Sequence, residues 1–164
     1  NIQHNKMQDR VEVLSGNLLE PPPRLAASSF SHVFANPPYF EEKGSTPSPI
    51  ETKALSHMDG NVSLDAWVSF CCRMVRPKGS VTFIFPTPRL DDLIAACHGK
   101  LGGIIVYPLW PKPGQPSKRV IVQGRKNSQG PMILHPGLML HGESGAYTAE
   151  AQGILRAGNA LKLT

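Results

Sequence analysis

At 164 residues, with 40% hydrophobic and 18% charged side chains, the chain has the composition of one globular domain long enough to bury a core. No run approaches the about eighteen continuous apolar residues of a membrane span, and no signal-peptide pattern opens the chain, so a cytoplasmic location is expected. Three cysteines (Cys71, Cys72, Cys97) and six histidines lack metal-ligand spacing, so reduced core thiols and no metal are expected.

Residues Asn1 to Asn5 read as the tail of a helix. Val11-Glu12-Val13-Leu14 alternates like a strand and runs into the turn signal Ser15-Gly16-Asn17. A short polar side chain at the carboxyl end of a strand is where open α/β sheets take cofactors, so Asn17, with Leu18 beside it, is a candidate cofactor contact; a plain turn residue is the alternative. Leu18 to Ser29, with three consecutive prolines, reads as a connecting loop. A second strand is expected over roughly Phe30 to Ala35.

That strand delivers Asn36-Pro37-Pro38-Tyr39-Phe40. Two consecutive prolines remove two backbone donors, fix two φ angles and push the preceding residues out of the helical region, leaving a stiff extended corner. It can aim two acceptors, the Asn36 amide oxygen and the Pro37 carbonyl, at the two hydrogens of one planar amine. Accepting both hydrogens draws the nitrogen lone pair out of conjugation and toward an electrophile. Tyr39 can stack on the base that carries the amine, with Phe40 a second ring for the same task. An ordinary Asn-Pro turn is the alternative.

Glu41 to Asn61 is rich in Gly, Ser, Thr and Pro and has little periodicity, as expected of a functional loop beside a site; Lys53 and His57, four apart, are candidate phosphate contacts or solvated surface groups. Ser63 reads as the N-cap of a helix with Leu64, Val68, Cys71 and Val75 on one face, stopped by Arg76-Pro77-Lys78-Gly79. Ser80 to Phe85 reads as a buried strand, and Thr87-Pro88 as the start of a second helix that ends before Gly99. Ile104 to Trp110 and Arg119 to Gln123 read as strands joined by a linker too short for a helical crossover, hence antiparallel. Ile133 to Leu140 is a short strand or extended cover, and Glu150 to Leu163 a final helix interrupted by Gly153 and Gly158.

The net charge of +5 is unevenly spread. Between Leu93 and Gly142 there is no acidic residue, while Lys100, Lys112, Lys118, Arg119, Arg125 and Lys126 fall inside that span. Such a one-signed stretch is either a phosphate-facing surface or a solvated basic face.

Asn36 to Tyr39 resembles the NPPY signature of class I methyltransferases that act on amino groups of adenine, cytosine or glutamine. The wider pattern resembles the bacterial valine-tRNA adenine N(6)-methyltransferase family. It rests on the NPPYF run, on Lys53-Ala54-Leu55-Ser56-His57 with Trp67, on Trp110-Pro111-Lys112-Pro113-Gly114 leading to Lys118-Arg119-Val120, and on His141 to Thr148. The resemblance implies a Rossmann-like α/β sheet with helices on both faces and an antiparallel terminal hairpin. It also implies S-adenosylmethionine as methyl donor, RNA, specifically tRNA, as partner, Asn36, Pro37 and Tyr39 in catalysis, and Pro38, Phe40, Lys53, His57, Lys112, Lys118 and Arg119 against the substrate. Asn17, Leu18 and Asn36 would touch the cofactor; Asn17 stands where the family pattern has an Asp. The family's glycine-rich loop and following acidic residue are not in these residues. The whole of 1–164 is therefore expected to be the C-terminal part of one methyltransferase domain, lacking its N-terminal strands and inactive by itself. Glutamine N(5)-methylation of a protein, or noncatalytic RNA binding, are the alternatives.

Overall fold

A computed structural model describes residues 1–38 and 62–163. Six strands form one sheet: β1 (Phe30–Ala35), β2 (Val75–Pro86), β3 (Leu101–Trp110), β4 (Arg119–Lys126), β5 (Ile133–Leu134) and β6 (Leu138–Met139). Three helices accompany them, α1 (Leu64–Met74), α2 (Leu90–Cys97) and α3 (Ala149–Ala157). The spatial order is β1-β2-β4-β3-β5, with β6 also on β3. β1 is parallel to β2, whereas β4 lies antiparallel between β2 and β3.

Alternation along the strands puts successive side chains on opposite faces, and both faces are covered. Val81, Phe83, Phe85, Val106, Val120 and Val122 pack with Val68 and Cys71 of α1 and Leu93 and Cys97 of α2 in the main core. On the other face Tyr107 and Leu138 pack with Ala151 of α3, and Leu109, Ile121 and Ile154 close over them. The expected Rossmann-like sheet with helices on both faces is therefore present. The antiparallel pair is present too, but it is not terminal, because β5 and β6 pair with β3 beyond it.

Local signals explain most element ends. The Ser63 hydroxyl accepts from the Ala66 N–H at 3.2 Å and starts α1, a cap worth about 1 kcal/mol. α3 begins at Thr148, whose hydroxyl accepts from the Ala151 N–H at 3.1 Å, and ends on Gly158 at φ +72°. It runs through Gly153, which does not interrupt it.

Other expectations need correction: residues 2–6 are turns, not the tail of a helix. Val11 to Leu14 is not a strand: residues 11–17 carry no regular structure and Val13 is 77% exposed, because alternation without a neighbouring strand leaves the ladder hydrogen bonds unmade. Arg76-Pro77-Lys78-Gly79 does not separate helix from strand; β2 begins at Val75, and these residues make an irregularity where Phe30 pairs Val75 but His32 pairs Ser80. Thr87 does not cap α2. Thr87 to Arg89 make a single 3-10 turn first, and the Thr87 hydroxyl instead lies 3.0 Å from the Ser117 hydroxyl.

Candidate active site

The carboxyl ends of β1, β2 and β3 and the start of β4 share one rim of the sheet. Ala35 is level with Phe83, Pro86 with Arg119, and Arg119 with Leu109. Asn36 therefore follows β1 on the same edge from which Lys118 and Arg119 enter β4 and Lys112 leaves β3.

The Asn-Pro corner continues the period of β1 without its ladder. Ala35 is buried, Asn36 exposed, Pro37 buried and Pro38 exposed, the two-residue alternation of extended backbone. Pro37 is among the side chains with less than 2% exposure, so its ring anchors the corner in the core and turns the Asn36 side chain outward. An outward amide carried on a stiff, anchored backbone is the arrangement that holding an external amine requires. Tyr39, Phe40, Lys53 and His57 lie outside the described residues.

The other side of the rim is pinned by Ser117, a residue the sequence reading did not single out. Its hydroxyl lies 3.0 Å from the Leu109 carbonyl oxygen, 2.6 Å from the Arg119 carbonyl oxygen and 3.0 Å from the Thr87 hydroxyl. The Thr87 N–H donates to the Lys118 carbonyl at 3.2 Å. The ends of β2, β3 and β4 are thus tied together where Lys118 and Arg119 sit. Lone Ser residues in Pro/Gly loops carry no pattern, so only the register could reveal this one.

The basic run is not one surface. β4 spans eight residues, about 23 Å at 3.3 Å per residue, so its two ends cannot face the same ligand group. Lys112, Lys118 and Arg119 are exposed on the rim of Asn36. At the far end Lys100 pairs with Asp65 at 2.7 Å and donates to the Ala96 carbonyl, while Lys126 donates to the Val75 carbonyl at 2.9 Å. Those cations hold elements together.

Asn17 sits in an exposed turn, not at a strand end, and its side-chain oxygen accepts from the Leu19 N–H at 2.9 Å. Leu18 and Leu19 line a cleft of about 250 Å³ with Ala66, Ser69, Phe70 and Arg73 along α1. Neither Asn17 nor Asn36 is among the residues that line that cleft. Among the described residues no cluster of three or more His, Cys, Asp or Glu side chains could hold a metal, and no helix is long and apolar enough to cross a membrane.

Comparison with known proteins gives this geometry a context. No family model matches the sequence. A predicted O-methyltransferase from Agrobacterium tumefaciens superposes with a TM-score of 0.76 at 21% identity, covering 97% of this chain and 69% of that one. The two chains share a fold. In sequence the chain resembles the tRNA1(Val) (adenine(37)-N6)-methyltransferase of Aeromonas salmonicida, 23% identical over 140 residues that make up 82% of this chain and 57% of that protein. The enzyme of the same description from Aeromonas hydrophila is 25% identical over 114 residues, 66% of this chain and 48% of that protein. The chain thus spans about half the length of the curated relatives it matches.

Proposed function

We propose that the chain is the C-terminal, substrate-facing part of a class I methyltransferase domain that methylates the exocyclic amine of adenine in RNA, with tRNA the RNA and S-adenosylmethionine the donor. The observation that carries this is the outward Asn36 on its buried Pro37 anchor, sharing a rim with Lys112, Lys118 and Arg119. The relatives' descriptions as tRNA adenine-N6-methyltransferases support the substrate, and the basic rim favours a polyanion over a protein. A glutamine side-chain amide would suit the same corner but has no use for the cations.

In this reading the Asn36 amide oxygen and the Pro37 carbonyl accept the two amine hydrogens and hold the nitrogen with its lone pair out of the ring plane. Tyr39, helped by Pro38 and Phe40, stacks on an adenine splayed out of its loop. Lys112, Lys118 and Arg119, with Lys53 and His57, take the flanking phosphates. Positioning of this kind can supply up to roughly 7–11 kcal/mol of barrier reduction. The donor rests on resemblance, and Asn17 and Leu18 remain candidate contacts on that basis alone.

In the complete protein, Asn36→Ala is expected to lower methyl incorporation into tRNA at least about a hundredfold, the usual effect of deleting one preorganised polar group at a reacting centre. The fold should persist, because the side chain is exposed. Undiminished incorporation by that variant would refute the assignment. Calorimetric titration with S-adenosylmethionine of residues 1–164 and of the chain extended at its N-terminus tests the domain assignment, heat being expected only from the longer one.

A further inference from the structure

Beyond the corner at Asn36, the same rim holds a cleft of about 510 Å³, of which the methyl-transfer reading uses only Lys112. Trp110 at the end of β3, Met139 of β6, Gln115 and Pro116 of the β3–β4 connection, Pro136 and Lys112 line it. The indole is fixed: its Nε1–H donates to the Pro136 carbonyl at 2.8 Å, and its backbone is level with Met139 in the pairing of β3 with β6. Its single polar group is therefore satisfied, which leaves a π face and edge as what it offers a ligand. Gly137, at φ +87°, lies so close behind it that a Cβ there would meet the Pro108 carbonyl oxygen and come within 2.9 Å of the indole nitrogen.

We propose that this cleft is a second base-binding subsite, in which Trp110 stacks on an unpaired nucleobase of the RNA flanking the target while Lys112 takes its phosphate. The proposal rests on the reading of the chain as an RNA methyltransferase and names where that RNA continues. Three features select a nucleotide over another ligand. The cleft falls within the roughly 300–1,000 Å³ of small-ligand sites. It combines an immobilised aromatic with an exposed cation, the pairing that holds single strands without reading their sequence. Among the described residues no acidic one lines it. From Asn36 to Trp110 the register gives three strand spacings across and about three residues along, a separation of roughly 17 Å. That is the reach of a few nucleotides of extended strand, so one base can occupy the cleft while another is presented to Asn36.

The chain contains two tryptophans. Trp67 has a buried Nε1–H with no partner, so Trp67→Phe removes an unpaired donor and, with any tryptophan outside these 164 residues replaced by Phe as well, leaves Trp110 as the single tryptophan. In that background, run in the complete protein, a short unstructured oligoribonucleotide should quench Trp110 saturably, whereas inorganic polyphosphate and S-adenosylhomocysteine should not. Trp110→Ala should weaken oligonucleotide binding roughly 5- to 150-fold, and Trp110→Phe, which keeps a ring and guards against misfolding of the alanine variant, by much less. Lys112→Ala should lower the salt dependence by about one counterion, a change of roughly 0.7 in slope. Equal quenching by polyphosphate, quenching by S-adenosylhomocysteine, or an oligonucleotide that leaves Trp110 emission unchanged would each overturn the subsite. The two readings separate: Asn36-dependent methylation without Trp110 quenching sinks only the subsite, and quenching without any methylation by the complete protein sinks only the enzymatic reading.

Discussion

The corner at Asn36 works only if Pro37 anchors it, and that anchor can be weighed. Pro37→Ala deletes two ring methylenes from a side chain with less than 2% exposure, a loss of about 1.6 kcal/mol at about 0.8 kcal/mol per buried methylene. The freer unfolded chain adds about 0.4–1 kcal/mol, and the new N–H, placed at a buried position, can only add to the cost if it finds no partner. The sum is roughly 2–3 kcal/mol, a fall in melting temperature of roughly 4–10 °C for a domain of this size. Pro38→Ala is the control: its ring is exposed, so only the unfolded-state effect applies, at most about 1 kcal/mol or roughly 4 °C. Urea titration and thermal melts of both variants make the measurement. Equal losses at the two positions would show that Pro37 is not the anchor, and the outward aim of Asn36 would lose its cause.

Other consequences can be checked independently of any activity. Burial pushes the thiols of Cys71 and Cys97 up to about 12, with the neighbouring Cys72 adding to it, and burial raises Cys72 as well. At pH 8 a thiol near 12 is ionised to roughly one part in ten thousand, so a disulfide reagent should leave Cys71 and Cys97 unmodified in the native protein and react with both in denaturant. The Lys100 ammonium, by hydrogen bond and charge, holds the Asp65 carboxyl below its ordinary 3.8. A carboxyl depressed on folding stabilises above its unfolded value and loses that contribution as pH falls through the folded one. The urea midpoint of the native protein should therefore exceed that of Asp65→Asn slightly at pH 7, less in high salt, and the gap should close below pH 3.8. Gly137→Ala places a side chain at φ +87° against the Pro108 carbonyl. It should cost about 1–3 kcal/mol for the backbone strain alone and shift Trp110 emission, while Gly99→Ala, at φ +72° with open space around it, should leave that emission unchanged.

What the sequence revealed tracks how local each cause is. Ser63 and its cap, the apolar face of α1, the end of α2 before Gly99 and the antiparallel sense of β3 and β4 depend on neighbours within a few residues, and all are present. Val11 to Leu14 has equally good local alternation yet makes no strand, because strand formation is decided by a partner that alternation does not encode. Thr87 illustrates a competition: its hydroxyl had a helix to cap, and Ser117, thirty residues away, took it instead. The Asn36 corner was legible because proline chemistry is local. The direction of its side chain was not, since that follows from the burial of Pro37 next to it.

The reversal of β4 explains why the basic run divides as it does. In a sheet whose β1, β2 and β3 all point the same way, a parallel strand at the position of β4 would carry Arg125 and Lys126 to the rim and leave Lys118 and Arg119 at the far end. Because β4 runs against its neighbours, Arg119 lies level with Pro86 and Leu109, beside the ends that carry Asn36 and Trp110. Lys126 is returned to the foot of β2, where it donates to the Val75 carbonyl. Exchanging charge at the two ends separates their roles. Lys118→Glu with Arg119→Glu should weaken RNA binding by reversing two charges on the rim. Lys126→Met should lower stability by leaving the Val75 carbonyl without its donor, and leave RNA affinity unchanged. Filter-binding titrations at two salt concentrations, paired with urea melts, read both effects. A loss of RNA affinity from Lys126→Met equal to that from the rim pair would mean that the strand's direction does not sort the charges, and that the polyanion lies along the sheet rather than across its rim.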